Sequence, residues 1–299
     1  MGLKVAINKK SFEKNGKPFF YLADTCWSAF TNINENDWKY YLQYRKRQGY
    51  NVLQINILPQ WDASATDLNH SPYQKDEKGN YQFDKLNDSY FNHARSMCEV
   101  AKEYGFELAL VVLWCNYVPA TWANNMLSHN TMPYEEIDGY IKKVNETFTD
   151  LDPLYVISGD TDLNEEISCS YYLKASQLLH ELAPNCLQSL HVRGRLMEIP
   201  EKLIKQMDFY MFQSGHNAKL ENRAMPYCLP EYFIEHYPVK PLLNSEPCYE
   251  QMGYSSNMYG RFHQFEIRRA AWQSILTGAF AGITYGAAGI LMVKNLQTK

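Results

Sequence analysis

Two stretches of this chain share a form that few folds accommodate. Lys240-Pro241-Leu242-Leu243-Asn244-Ser245-Glu246-Pro247 is a short apolar run that ends on a carboxylate and is closed by proline. Leu154-Tyr155-Val156-Ile157-Ser158-Gly159-Asp160-Thr161-Asp162 is likewise an apolar run ending in a turn that carries acid. Runs of this kind read as parallel strands buried on both faces, and a proline, lacking an N–H, stops the ladder at the strand end. Acids at the C-terminal ends of two parallel strands of an α/β barrel face each other across its mouth, where the active sites of such barrels lie. Taken singly, each acid could merely cap the helix that follows, since Asp is a common N-cap. The matched pair favours convergence.

The rest of the chain repeats the pattern of apolar strand and periodic helix. Lys4 to Phe20 reads as a hairpin turning at Asn15-Gly16. Phe19 to Asp24 is a first barrel strand, running into Asp24-Thr25-Cys26-Trp27. Val52 to Leu58 is a second, carrying Gln54 and Asn56, and Phe106 to Leu113 a third, leading to Trp114. After the fourth come Leu187 to Val192 with His191, Phe209 to Gln213 followed by His216, the Glu246 strand, and Gly282 to Gly286. Helices are expected over 34–48, 90–104, 134–148, 165–182, 230–236 and 262–277, several of them closed by glycine. The polar connection from Pro59 to Ser89 is long enough to expect a functional loop. With no composition break or repeat, residues 1–299 are expected to form one (β/α)8 TIM barrel with a short N-terminal hairpin.

Two features strain that expectation. Ala270 to Val293 holds no charged residue and spaces Gly278, Gly282 and Gly286 four apart, the form of a transmembrane helix with a small-residue face. Gln273, Ser274, Thr277 and Thr284 dilute its hydrophobicity, and it divides naturally into a helix end, a turn and a buried strand, so no membrane association is expected. Only Leu291 to Lys299 follow the eighth strand, too few for a closing helix of ordinary length. A barrel lacking its last helix is expected to expose apolar side chains near Leu22, Ile275, Ala281 and Ile283.

Composition narrows the chemistry. A net charge of -4 gives no footprint for nucleic acid or an anionic membrane. The 7 cysteines fall in no Cys-x-x-Cys pattern and no His-Glu-x-x-His is present, so neither a metal site nor a cofactor is expected. Free thiols and the absence of an apolar leader at Met1–Lys10 fit a cytoplasmic protein, or a periplasmic or secreted one whose signal was removed. The 23 Tyr, 14 Phe and 6 Trp suit a carbohydrate cleft, because sugar rings present apolar C–H faces, although most such rings pack in cores. Two opposed carboxylates suit hydrolysis of a glycosidic bond.

Several ordered motifs carry a resemblance: Gly16-Lys17-Pro18-Phe19-Phe20, Asp24-Thr25-Cys26-Trp27, Gln213-Ser214-Gly215-His216, Glu246-Pro247-Cys248-Tyr249-Glu250, Arg268-Arg269-Ala270-Ala271 and Gly282-Ile283-Thr284-Tyr285-Gly286. From about Asn8 to Ile290 the chain resembles the apiosidase-like glycoside hydrolases, family 140. The resemblance implies a (β/α)8 barrel that cleaves apiose or another terminal sugar from plant cell-wall or pectic glycans, with catalytic carboxylates matching Asp160 and Glu246. Two departures stand out. Where the family has Gly-Gly-Asp-Arg-Asn at the fourth strand, this chain has Ser158-Gly159-Asp160-Thr161-Asp162, losing an arginine and gaining an acid. Members also continue into a last helix and often a β-sandwich.

The expected roles follow. Asp160 is the general acid, and Glu246 the nucleophile of a retaining mechanism or the base of an inverting one. Asp162 is a rival acid whose plainer role is a helix cap. Asp24, Gln54, Asn56, His191, Gln213 and His216 are expected to meet sugar hydroxyls, and Trp27, Trp114, Tyr249 and Tyr285 sugar faces; structural packing is the alternative for each. The substrate partner is an oligosaccharide or glycoside. A non-catalytic carbohydrate-binding barrel is the competing reading, since fold alone does not decide function.

Overall fold

The computed structural model describes residues 2–60, 70–255 and 258–289, with the side chain of His129 excepted. Eight parallel strands form the central sheet: β1 Tyr21–Thr25, β2 Val52–Asn56, β3 Glu107–Trp114, β4 Leu154–Gly159, β5 Gln188–Ser189, β6 Tyr210–Phe212, β7 Leu242–Asn244 and β8 Gly282–Tyr285. Their order is β5-β4-β3-β2-β1-β8-β7-β6, so the chain's first and last strands are neighbours and the sheet curls toward a barrel. Between β5 and β6 the ladder gives way to single hydrogen bonds. Asp208 N–H donates to Gln188 O, and Arg195 N–H to Gln213 O, each at 2.8 Å. The (β/α)8 architecture is therefore present, nearly closed. Around it lie α1 Glu35–Arg47, α2 Asp88–Glu103, α3 Ile137–Phe148, α4 Glu166–Leu182, a short α5 Glu201–Ile204, α6 Met225–His236 and α7 Gln264–Leu276.

Local sequence explains most boundaries. The Asn34 side chain accepts from Asp37 N–H at 3.0 Å and starts α1. His263 and Glu266 cap each other's ends of the first turn of α7. The central strands are mostly apolar because both faces are covered: every residue of β3 and β4 is buried. Three expectations differ from the structure. The strand expected over Leu187–Val192 keeps only Gln188–Ser189 and an isolated Thr161–Val192 bridge. Helix α6 begins at Met225 rather than Pro230, because Pro226 occupies its first turn and Pro230 is held inside. The turn of helix at Glu201–Ile204 was not expected at all.

The N-terminal segment is a three-stranded antiparallel sheet, Lys4–Val5, Phe12–Lys14 and Lys17–Phe19, turning at Asn15-Gly16 as expected. It stops the barrel at the strands' N-terminal ends. Phe12 is fully buried, its ring 5.2 Å from Phe209 in an edge contact and 6.4 Å from Tyr21. Lys14 and Lys102 pair with Glu107, the first residue of β3. That end is closed, so chemistry is confined to the opposite mouth.

In the long 59–89 connection, Tyr73–Lys75 and Tyr81–Leu86 pair as a two-stranded ribbon, while residues 61–69 lie outside the described residues. The uncharged Ala270–Val293 stretch divides into the end of α7, a turn and β8, with its last four residues also outside those described. Among the described residues no helix is long and apolar enough to cross a membrane. Of the side chains expected in an apolar patch at the barrel's flank, Ala281 is fully buried and Ile283 is 6% exposed, while Leu22 and Ile275 are half-buried. Helix α7 packs over both β7 and β8 and supplies the cover. The exposed apolar side chains of this flank, among the described residues, are Phe265, Trp272 and Leu276 on α7 and Phe280 in the turn before β8. All seven cysteines are free thiols, and Cys228 alone is less than buried.

Candidate active site

Glu246 follows β7 at the C-terminal mouth and is 7% exposed. Its place is fixed by Asn244, whose Oδ1 accepts from the N–H groups of Glu246 (3.3 Å) and Ser214 (3.4 Å). The Nδ2 of Asn244 donates to Ser214 Oγ at 2.9 Å and Ser274 Oγ at 3.0 Å. One buried amide thus ties the loops after β6 and β7 to α7. Gly215 N–H donates back to Glu246 O at 3.0 Å.

Two imidazoles meet the Glu246 carboxylate. His216 Nε2 is 2.6 Å from Oε1, and His191 Nε2 is 3.0 Å from Oε2, the latter too bent for a well-aligned hydrogen bond. Their tautomers are set from behind. Tyr249 N–H donates to His216 Nδ1 at 3.3 Å, and Asp160 N–H donates to His191 Nδ1 at 3.0 Å. With each Nδ1 acting as acceptor, each ring carries its proton on Nε2, the nitrogen facing Glu246. Burial pushes the Glu246 carboxyl up, but the His191 and His216 donors outweigh it and hold the group well below the usual carboxylate range. Glu246 is therefore a desolvated, ionised carboxylate.

Asp160 follows β4 and lies on the other side of the same imidazole. It takes a left-handed backbone, φ 49°, a conformation uncommon outside glycine and Asn/Asp. Trp122 Nε1 donates to its carbonyl at 2.6 Å. His191 is itself pinned to β4, since Ser158 Oγ donates to His191 O at 2.9 Å and His191 N–H to Ser158 O at 3.3 Å. The imidazole of His191 thus joins the backbone of Asp160 to the carboxylate of Glu246.

Aromatic rings back this array. Trp27 lies edge-on to His191 at 5.4 Å, Trp114 stacks beside it at 6.0 Å, and Tyr249 lies 4.4 Å from His216. Trp27 Nε1 donates to Tyr249 Oη at 3.1 Å. Burial, and then the negative charge of Glu246, push the Tyr249 hydroxyl well up, so it keeps its proton. Gly159 is required here: a Cβ at that position would come within 2.1 Å of the Trp114 ring. These rings are almost wholly buried, so they hold the histidines rather than offer an open platform.

The other sequence candidates divide. Asn56 and Gln213 are buried at the mouth ends of β2 and β6, and Asn56 Oδ1 and Gln213 Oε1 have no partner among the described residues. Gln54 sits lower, inside the barrel, accepting from Tyr21 Oη (2.9 Å) and Thr284 Oγ1 (3.1 Å) and donating to Ser245 O (3.1 Å). Asp24 and Tyr285, opposite each other in the β1–β8 register, turn outward to α1. Asp24 accepts from Tyr41 Oη at 2.6 Å and pairs with Arg45 Nε at 2.5 Å, while Tyr285 donates to Glu250 at 2.5 Å and its ring lies under the Arg45 guanidinium. Alternation along a strand explains this: Ala23 and Thr25 share one face and Asp24 the other. Asp162 does not cap α4, whose N-cap is Glu165 without a side-chain bond; it accepts from Asn164 at 3.1 Å.

An open cleft of about 850 Å³ runs past Asp160 and His216, lined also by Trp122, Arg193, Arg195, Gln213 and Ser255. Other cavities lie away from the carboxylates, one of about 90 Å³ beside Tyr210 and Phe280 and one of about 220 Å³ between the loop after β6 and α7. Asn244, Ser158, Trp122, Arg193 and Arg195 were missed from the sequence. Asn244 stood in plain view two residues before Glu246, but an Asn inside a strand carries no signal until its partners are known.

The family model for the apiosidase-like catalytic domain matches residues 7–299. The chain belongs to that family. No curated protein matches the chain. Among solved structures, a family 5 glycoside hydrolase from Bacteroides vulgatus aligns with 97% of the chain and 63% of its own length, at TM-score 0.76 and 23% identity. Another, titled only a glycoside hydrolase, aligns with 100% of the chain and 68% of its own, at TM-score 0.79 and 23% identity. An endo-1,4-beta-mannanase from Rhizomucor miehei aligns over 98% and 97%, at TM-score 0.63 and 12% identity. Identities this low establish the shared barrel of these glycoside hydrolases. The chain spans under two thirds of the Bacteroides vulgatus structure's length.

Proposed function

We propose that this apiosidase-like domain hydrolyses the glycosidic bond of a terminal sugar on a cell-wall or pectic oligosaccharide, with retention of configuration. The observation that carries the reading is Glu246: a buried carboxylate kept ionised by two Nε2–H imidazoles at a barrel mouth, joined through His191 to Asp160. A nucleophile of depressed pKa is ionised at working pH and is also a good leaving group when the glycosyl ester is hydrolysed. In the first step Glu246 attacks the anomeric carbon while Asp160 gives its proton to the leaving oxygen. In the second, Asp160 takes a proton from water, which attacks the same carbon and releases Glu246. Asn56 Oδ1, Gln213 Oε1 and Trp114 Nε1, buried without partners among the described residues, are suited to sugar hydroxyls. The test is a panel of aryl glycosides and pectic oligosaccharides, with the first-formed anomer followed by NMR. Turnover lost in Glu246→Gln supports the reading; binding without turnover in the unaltered protein overturns it.

A further inference from the structure

Arg268-Arg269-Ala270-Ala271, one of the ordered motifs of the sequence, stands on α7, and the mechanism above uses none of it. Arg268 is exposed, while Arg269 is half-buried and lines the cavity of about 220 Å³ between α7 and the loop after β6. Arg223, at the end of that loop, lines it too. Arg223 Nε donates to Ala218 O at 3.3 Å, and the Arg269 guanidinium lies 5.7 Å from the Phe265 ring. Neither guanidinium has an ionic partner within 4 Å among the described residues. The acid on the lining is Glu266, and its Oε2 is engaged by His263 N–H at 3.0 Å in the cap of α7. Pro226, on the same lining, belongs to the first turn of α6, whose N-terminal end has no side-chain cap. Two arginines and the positive end of a helix dipole, against one committed carboxylate, make this lining favour an anion.

The rest of the lining suits a sugar ring. Tyr254 and Phe262 meet edge to face at 4.7 Å. Gly260, at φ 132°, leaves the room that the Tyr254 ring fills, since a Cβ there would stand 2.5 Å from it. The rings are therefore held in place before any ligand arrives, and the apolar C–H face of a sugar packs on such rings. The amide of Asn222 is at hand for hydroxyls. Cys248 belongs to the apolar backing, with Ala218, Phe262 and Ala270. Burial pushes its thiol up to about 12 against the Arg269 charge, so it packs rather than reacts. The volume falls below the roughly 300–1,000 Å³ of drug-sized pockets and is on the scale of one monosaccharide.

We propose that this cavity is a second binding site, away from the barrel mouth, for a single sugar carrying a carboxylate or phosphate group, with the oxyanion on Arg223 and Arg269. The site does not depend on the glycosidase reading. The whole chain is titrated by calorimetry with galacturonate, glucose 6-phosphate, neutral galactose and inorganic phosphate. At least one acidic sugar should bind roughly ten- to a hundredfold tighter than galactose, and the tighter one identifies the charged group. Arg223→Gln and Arg269→Gln should each weaken that sugar roughly tenfold, while Glu246→Gln and Asp160→Asn, which alter the mouth, leave its binding unchanged. Arg223 is exposed, so Arg223→Gln should keep the melting temperature and separate lost binding from lost folding. The site is overturned if neither acidic sugar binds, if galactose or inorganic phosphate binds as tightly, or if binding persists in both arginine variants. Absence of turnover on any glycoside would sink the glycosidase reading and leave this site standing.

Discussion

At the scale of single residues, what matters is which group holds a charge where water cannot reach it. Glu246→Gln keeps the shape but sets an amide N–H against one of the two imidazole N–H groups, so under the proposed mechanism turnover should fall roughly a thousandfold or more and the melting temperature should fall at neutral pH. Asp160→Asn should slow substrates with poor leaving groups far more than activated aryl glycosides, because only the former need a proton. The histidines predict a pH effect of definite sign. The folded carboxyl of Glu246 lies below its unfolded value of about 4.3, so the group favours the fold above that pH and the contribution is lost as pH falls through the folded value. Replacing His216 by Phe removes one donor, leaves the burial, and should raise the acid limb of the kcat/KM profile toward neutrality. An unmoved limb would mean that His216 does not hold the charge.

At the scale of elements, the sequence was most readable where local chemistry and burial agree. Strands β3 and β4 carry long apolar runs, Leu108–Trp114 and Leu154–Ile157, and the Asn34 cap and the Asn15-Gly16 turn act within a few residues of themselves. The apolar–acid form of the 154–162 and 240–250 stretches correctly located two strand ends at one mouth. What failed depended on which face a residue takes. Asp24 and Tyr285 were expected at the mouth because they stand at strand ends, yet alternation turns them toward α1. There Asp24 pins β1 to α1 through Tyr41 and Arg45. Burial outweighs Arg45 and leaves the Asp24 carboxyl raised to about 6. Raised above an unfolded value of about 3.9, this group favours the fold at low pH and loses that contribution as pH rises through 6. Arg45→Met should therefore destabilise by about 3–5 kcal/mol at pH 8 and less at pH 5, where Asp24 can take up a proton. Urea melts at the two pH values check this. Gly159→Ala should likewise lower stability by roughly 1–3 kcal/mol through the Trp114 ring, and disturb the His191 that Trp114 supports.

For the whole molecule, the stopper sheet and the barrel divide the labour: one end is sealed by Phe12, and the other gathers carboxylates, imidazoles and arginines onto separate loops. Eight strands are used to bring Asp160 and Glu246 together from positions far apart in sequence. The same topology pairs β1 with β8, Tyr21 beside Gly282 and Asp24 beside Tyr285. On the ribosome, then, the first strand waits with one edge bare until β8 has emerged. A parallel edge of apolar residues is a template for wrong partners, and pairings so distant along the chain form slowly. Nascent chains arrested before Gly282 should remain sensitive to protease and be captured by chaperones, and resistance should arrive in one step once β8 has been made.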